Sequence, residues 1–325
     1  MLKTTTVGSF PKSEELKAAR AKVRRKEMST QELKKLEQAE TKEWIQIQEE
    51  IGLDILVDGE MYRGDMATYF AENLEGFTIS SRVRSYGNRY YRKPIAVGAV
   101  RWKGPITVEW FRYAQNLTKK PVKGMLTGPY TMMDWSFNEY YKDRRALCLA
   151  LAEAIHEEVK ALEQAGAVFI QVDEPAVSTR FDEIDLAVEA MKIVTQGVRV
   201  QTATHICYGD FEKVYPQILD LAVDQIDLEF ANSNFALLDL IRKKPFTKEV
   251  GFGVIDVHSH RVESVDEIKA AIRKGLEVFP PEKLYIDPDC GLKTRLKDEV
   301  IAKLTNMVTA VREVRKEIGV SVFDP

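Results

Sequence analysis

Thr4-Thr5-Thr6-Val7-Gly8-Ser9-Phe10-Pro11 is a β-branched run that breaks at a glycine and stops at a proline. It reads as a strand over 4–8. The turn that follows lacks the G-x-G-x-x-G with which a doubly wound open sheet usually receives a phosphate after its first strand. Seven more runs have the same character, at 54–57, 122–126, 168–172, 200–205, 225–228, 251–257 and 283–286. Helical patterns lie between them. Within 144–164, Leu147, Leu151, Ile155, Val159 and Leu162 share one face, and Gly166 supplies a stop. Within 298–318 the stripe is Ile301, Leu304, Val308, Val311 and Ile318. Strands alternating with helices predict a parallel sheet with right-handed crossovers, and eight strands are the number that closes a (β/α)8 TIM barrel.

The stretch 76–104 breaks this rhythm. Its alternating polar, basic and aromatic residues, with Tyr86, Tyr90, Tyr91 and Trp102, predict a β-hairpin excursion after the second strand. No linker or low-complexity tract divides the chain, so one domain over 1–325 is expected. The 47 Lys+Arg against 50 Asp+Glu leave a net charge of −3, which argues against a nucleic-acid or anionic-membrane binder. No apolar run reaches the ~18 residues of a membrane span, and the first residues do not read as a signal peptide. Three cysteines in 325 residues are too few for a disulfide scaffold, so a reducing cytoplasm is the expected location.

Barrel active sites form at the C-terminal ends of the strands. Those positions hold Ser9, Glu60, Thr127, Asp173-Glu174, His205 and Cys207, Glu229, Asp256 and His258, and Asp289-Cys290. His205, Cys207, Glu229 and Cys290 would suffice for tetrahedral zinc, and thiolates favour such a metal over magnesium or calcium. The other reading makes the cysteines small buried hydrophobes and His205 a hydrogen-bonded barrel residue. The spacing alone leaves both open. If the metal reading holds, three anionic ligands around a divalent ion make a poor Lewis acid for hydrolysis but a good holder of an incoming thiol as thiolate. Glu60 and Asp173 would suit a substrate ammonium, and Ser9 with nearby N–H groups a carboxylate, unless these side chains only cap helices. His156 reads as surface among Glu153, Glu157 and Glu158, Cys148 as packing, and Arg144, Arg145, Lys119 and Lys120 as solvated charges.

Thr4–Pro11, Met125-Leu126-Thr127-Gly128-Pro129, Gln171-Val172-Asp173-Glu174-Pro175-Ala176, His205-Ile206-Cys207-Tyr208 and Asp287-Pro288-Asp289-Cys290-Gly291-Leu292-Lys293-Thr294-Arg295 resemble the cobalamin-independent methionine synthase family. The resemblance is to its C-terminal catalytic barrel, in a short core form, and covers nearly the whole chain. It implies zinc at His205, Cys207, Glu229 and Cys290. It also implies homocysteine bound by Val7, Gly8 and Ser9 around its carboxylate and by Glu60 and Asp173 around its amino group. His258 matches the family's proton donor. Trp135, in Asp134-Trp135-Ser136-Phe137, matches the residue that stacks on the folate ring, and Arg89 a basic residue of the folate site.

This sequence departs from the family's pattern on the donor side. Thr179 replaces a Glu that bonds the pterin, Tyr90 a usual Cys, Tyr62 the second Glu of G-E-x-E-R, and His260 a usual Pro. With the acceptor positions intact and the donor positions eroded, the expected donor is a methylated corrinoid or a methyl-corrinoid protein, with methyltetrahydrofolate as the alternative. Two further alternatives are a zinc thiol methyltransferase acting on another acceptor, and a non-catalytic partner of corrinoid proteins.

Overall fold

The computed structural model describes residues 1–84 and 90–320. Its strands are β1 (Lys3–Thr4), β2 (Leu74–Arg84), β3 (Tyr90–Trp102), β4 (Gly124–Thr127), β5 (Phe137–Asn138), β6 (Phe169–Asp173), β7 (Gln201–Ile206), β8 (Gln225–Leu228), β9 (Glu249–Ile255) and β10 (Leu284–Pro288). Seven form one sheet in the order β1-β10-β9-β8-β7-β6-β4, and β2, β3 and β5 form a second. The registers β1/β10, β10/β9, β4/β6 and β6/β7 are all parallel.

Seven of the eight expected strands therefore form, within a few residues of their expected bounds. The run 54–57 makes only an isolated bridge, Leu56 to Val122. Its place is nonetheless that of a barrel strand. Ile55 N–H donates to the Thr4 carbonyl at 3.0 Å, Leu56 N–H to Pro121 at 2.9 Å, and Lys123 N–H to Leu56 at 2.9 Å. The Asp54 carboxylate takes the Thr4 hydroxyl at 2.9 Å and its N–H at 2.7 Å, a main-chain donor that a neighbouring strand would otherwise use. The Gln48 side chain brackets Val57, accepting its N–H at 2.9 Å and donating to its carbonyl at 2.8 Å. The fold class is the expected α/β barrel. No described helix is long and apolar enough to cross a membrane.

The chain divides into two compact units. The first comprises Met1–Tyr62, Arg112–Lys123 and Asp227–Pro325, the second Arg63–Phe111 and Gly124–Ile226. In the first, the helix Thr30–Ile51 starts in a Ser29/Glu32 capping box and ends at Gly52, whose φ of +92° is the left-handed stop. In the second, the helix Arg144–Gln164 has the bounds its apolar stripe predicts. Its buried leucines contribute about 2 kcal/mol each, and Cys148 is packed among them.

Three expectations in the second unit need correction. Glu158 is fully buried, not solvated, and accepts from Trp102 Nε1 (2.8 Å), Ile106 N (2.8 Å), Thr107 N (2.7 Å) and Thr107 Oγ1 (2.9 Å). Four donors offset the cost of desolvating its charge, and they tie the end of β3 to this helix. His156 is half-buried, with Nδ1 3.1 Å from the Val194 carbonyl. Arg144 is an ordered ion-pair partner of Asp134 and Glu183. The excursion is present as β2 and β3 in antiparallel register, with β5 added parallel to β3. It follows the helix Met66–Asn73, after the second barrel strand.

Candidate active site

In the first unit, the predicted carboxylate-binding turn Val7-Gly8-Ser9 is buried. Phe10 stacks on Trp44 with centroids 4.3 Å apart and planes 6° from parallel, and Trp44 Nε1 donates to the Pro11 carbonyl at 3.2 Å. Ser9 bridges Gly59, and its carbonyl accepts the Leu292 N–H at 2.8 Å. A Cβ at Gly291 would lie 2.1 Å from Ser9 Oγ, so a side chain there would turn the serine hydroxyl away. Glu60 beside it is half-buried at a φ of +58°, which is strained for a residue with a side chain. Asp58 holds that conformation, accepting the Glu60 N–H on Oδ1 at 2.9 Å and the Tyr62 hydroxyl on Oδ2 at 2.9 Å.

In the second unit, Asp173 ends β6, buried, with Gln171 Nε2 donating to it at 2.7 Å. Glu174 accepts Tyr130 N–H at 3.0 Å and Thr131 N–H at 2.7 Å, capping the helix Pro129–Asp134. Burial lifts its carboxyl to about 7 against those donors. The same turn holds the metal-candidate segment. Glu174 N–H donates to the His205 carbonyl at 3.0 Å, and Ser178 Oγ to the Cys207 carbonyl at 2.7 Å.

The ligand atoms of His205, Cys207 and Cys290 all lie within 4.8 Å of one another, with the first two residues buried. Two thiols and an imidazole at that spacing fit zinc by donor chemistry and by distance. Glu229 stands outside this close group. It is buried directly after β8 and near Asp289. Asp289 accepts the N–H groups of Phe230 (2.9 Å), Ala231 (3.0 Å) and Asn232 (2.6 Å), fixing the turn after Glu229 to the residue before Cys290. Burial, reinforced by the Glu229 charge, lifts the Asp289 carboxyl to about 7.

Among the donor-side residues, Trp135 is half-buried just after the helix Pro129–Asp134. Arg89 lies outside the described residues. Thr179 is exposed, its hydroxyl donating to the Ala176 carbonyl at 2.9 Å. His258 is exposed on the loop after β9, its N–H donating to Asp256 Oδ1 at 2.8 Å. The sequence reading assigned no role to Ser178 or Asp289. Both act on main-chain groups distant in sequence, and only the position of Asp289 at a strand end, next to Cys290, could have marked it.

Residues 2–313 match a family model described as cobalamin-independent synthase, catalytic domain. A 5-methyltetrahydropteroyltriglutamate–homocysteine methyltransferase of Bacillus licheniformis is 44% identical over 334 residues, covering 99% of this chain and 44% of its own length. The enzyme of that name from Campylobacter jejuni strain RM1221 is 42% identical over 331 residues, covering 98% and 44%. A solved B12-independent methionine synthase from Shewanella sp. W3-18-1, in complex with selenomethionine, superposes with a TM-score of 0.87 at 30% identity, over 99% of this chain and 100% of that one. The chain thus spans less than half the length of the curated relatives it matches.

Proposed function

Because the chain belongs to the cobalamin-independent synthase catalytic-domain family, we propose that it is a methionine synthase that moves a methyl group from a methyltetrahydrofolate to the thiol of homocysteine. The observation that carries this reading is the convergence of the His205, Cys207 and Cys290 ligand atoms within 4.8 Å. Glu229, buried directly after β8 but outside that close group, would be the fourth ligand. Zinc bound there would supply a site where the homocysteine thiol loses its proton and stays nucleophilic at neutral pH.

The chain's own residues do the rest. Val7, Gly8 and Ser9 take the amino-acid carboxylate, while Glu60 and Asp173 take the ammonium, so the substrate is fixed at its polar end and its sulfur is aimed by its own length. Trp135 and Arg89 hold the donor. The N–CH3 bond breaks as the S–CH3 bond forms, and the electron pair left on N5 takes a proton from His258. The selenomethionine in the Shewanella structure, a product analogue, supports a methionine-shaped site. Three cysteines in 325 residues suit a reducing cytoplasm.

The donor reading departs from the corrinoid expected from the sequence. The relatives' names carry a tetrahydropteroyltriglutamate donor and no corrinoid. One of the departures behind the corrinoid expectation also has another explanation, since Tyr62 hydrogen-bonds Asp58 on the acceptor side.

The test is methionine formation by zinc-loaded, reduced protein from homocysteine and either methyltetrahydrofolate (mono- or triglutamate) or methylcobalamin. Methionine from the folate supports the reading. Methionine from methylcobalamin alone would replace the donor and keep the acceptor chemistry. Methionine from neither, with no sulfur added to the zinc shell in X-ray absorption when homocysteine is supplied, would overturn both.

A further inference from the structure

Lys303 has no exposed side-chain surface, and its ammonium is turned wholly onto one loop. It donates to Glu263 Oε2 at 2.8 Å, to the Asp256 carbonyl at 3.1 Å and to the Arg261 carbonyl. Glu263 Oε1 in turn accepts the Asp256 N–H at 3.2 Å, and Asp256 Oδ1 accepts the His258 N–H. Two neighbours on the helix Lys297–Glu317 act on the same loop. Glu299 Oε1 lies 2.8 Å from His260 Nδ1, and Asn306 Nδ2 donates to the Glu263 carbonyl at 2.7 Å. Positions 299, 303 and 306 follow helical spacing, so one face of this helix presents a carboxylate, an ammonium and an amide to residues 256–263.

A lysine is rarely buried completely, and a lone buried pair is weak evidence for stability, since two well-packed apolar residues would often serve as well. Here the three ammonium protons are shared between one side chain and two main-chain carbonyls of a single loop. That arrangement fixes backbone position more than it fills space. We infer that Lys303, with Glu263, is a positioning pair that holds the loop carrying His258 in the geometry needed to protonate the departing donor nitrogen. The inference rests on the proton-donor role given to His258 above. The pair touches neither substrate and acts through the Asp256 main chain and the Asp256–His258 turn. The His260–Glu299 contact gives the departure at position 260 a place in the same arrangement.

The experiment compares the intact protein with Lys303→Met/Glu263→Gln, which removes both charges together, and with Asn306→Leu, which leaves the ion pair intact. Hydrogen exchange by mass spectrometry over 254–264 should quicken about tenfold or more in the first variant and less in the second. Methionine formation from the folate donor should fall about 30-fold in the first, less than the ~100-fold or more that loss of the general acid itself costs. In a His258→Ala background the same pair of substitutions should cost less than about twofold more, because a positioning residue has nothing left to position. Unchanged exchange over the loop, or losses that multiply in the His258→Ala background, would overturn the proposal. If the unaltered protein makes no methionine, the functional reading falls, and the exchange measurement still decides whether Lys303 holds the loop.

Discussion

The Ser178 hydroxyl donates to the Cys207 carbonyl at 2.7 Å. Ser178 lies on the turn Pro175–Thr179 after β6, and Cys207 is the first residue past β7. The bond therefore sets the direction of the main chain from which the Cys207 thiol projects. Outer hydrogen bonds of this kind orient metal ligands, and losing one typically costs 10–100-fold in metal affinity. Ser178→Ala should keep the fold and weaken zinc binding by about tenfold, measured by competition with a chromophoric chelator. An unchanged affinity would remove Ser178 from the support of the site.

Gly209 sharpens the same relationship. A Cβ built there would lie 2.1 Å from Ser178 Cβ, so the chain passes over the serine only because position 209 has no side chain. Gly209→Ala should displace the segment after Cys207 and leave the purified protein with less than stoichiometric zinc. Ser178→Gly added to Gly209→Ala restores the space and should recover part of the loading. A double variant no better than Gly209→Ala would show that the conflict lies elsewhere.

Tyr62 bonds one oxygen of Asp58 while the other holds the N–H of Glu60, the residue at a φ of +58°. Loss of the hydroxyl frees half of the brace on a strained residue. A hydrogen bond to a charged group contributes about 1.5 kcal/mol, so Tyr62→Phe should raise the KM for homocysteine about tenfold with kcat close to unaltered. A fall in kcat at constant KM would place Tyr62 in the chemistry instead.

Side-chain pattern made part of this molecule legible in the sequence. The helix Arg144–Gln164 was readable because an apolar stripe and a glycine stop agree. The ligand candidates were readable because barrel topology sends His205, Cys207, Glu229 and Cys290 to strand ends. Glu158 was misread although it lies three residues after Ile155 and four before Leu162, on the buried face. Its residue type pointed outward, while its partners lie 51 to 56 residues away. The 54–57 run lacks a ladder because Asp54 answers Thr4 with a side chain. The supports from Ser178, Asp289 and Lys303 end on backbone carbonyls and N–H groups, which every residue type carries and no motif marks.

Arg144 bonds Glu183 and Asp134 at 2.7 Å each, and the Tyr130 hydroxyl donates to Glu183 at 2.7 Å. Asp134 directly precedes Trp135, so this network also fixes the main chain from which the indole projects. The Arg144 hydrogen bond, against a smaller opposing effect of burial, holds the Glu183 carboxyl below its ordinary value of 4.5, and the Tyr130 hydroxyl adds to it. A carboxyl depressed in the folded state contributes stability that is complete above its unfolded pKa and is lost as pH falls through the folded one. The Arg144 side chain is 39% exposed, so solvent screening keeps the contribution near the low end, about 1 kcal/mol. Glu183→Gln should therefore unfold at lower denaturant concentration than the unaltered protein at pH 7, by about that amount. The gap should narrow as pH falls below the ordinary carboxyl value of 4.5 and close once it has fallen through the depressed folded-state value, where Glu183 is itself protonated. Urea titrations at pH 7, 5 and 3 check this, and a gap that persists undiminished at pH 3 would assign the contribution to packing and the Tyr130 hydrogen bond rather than to charge.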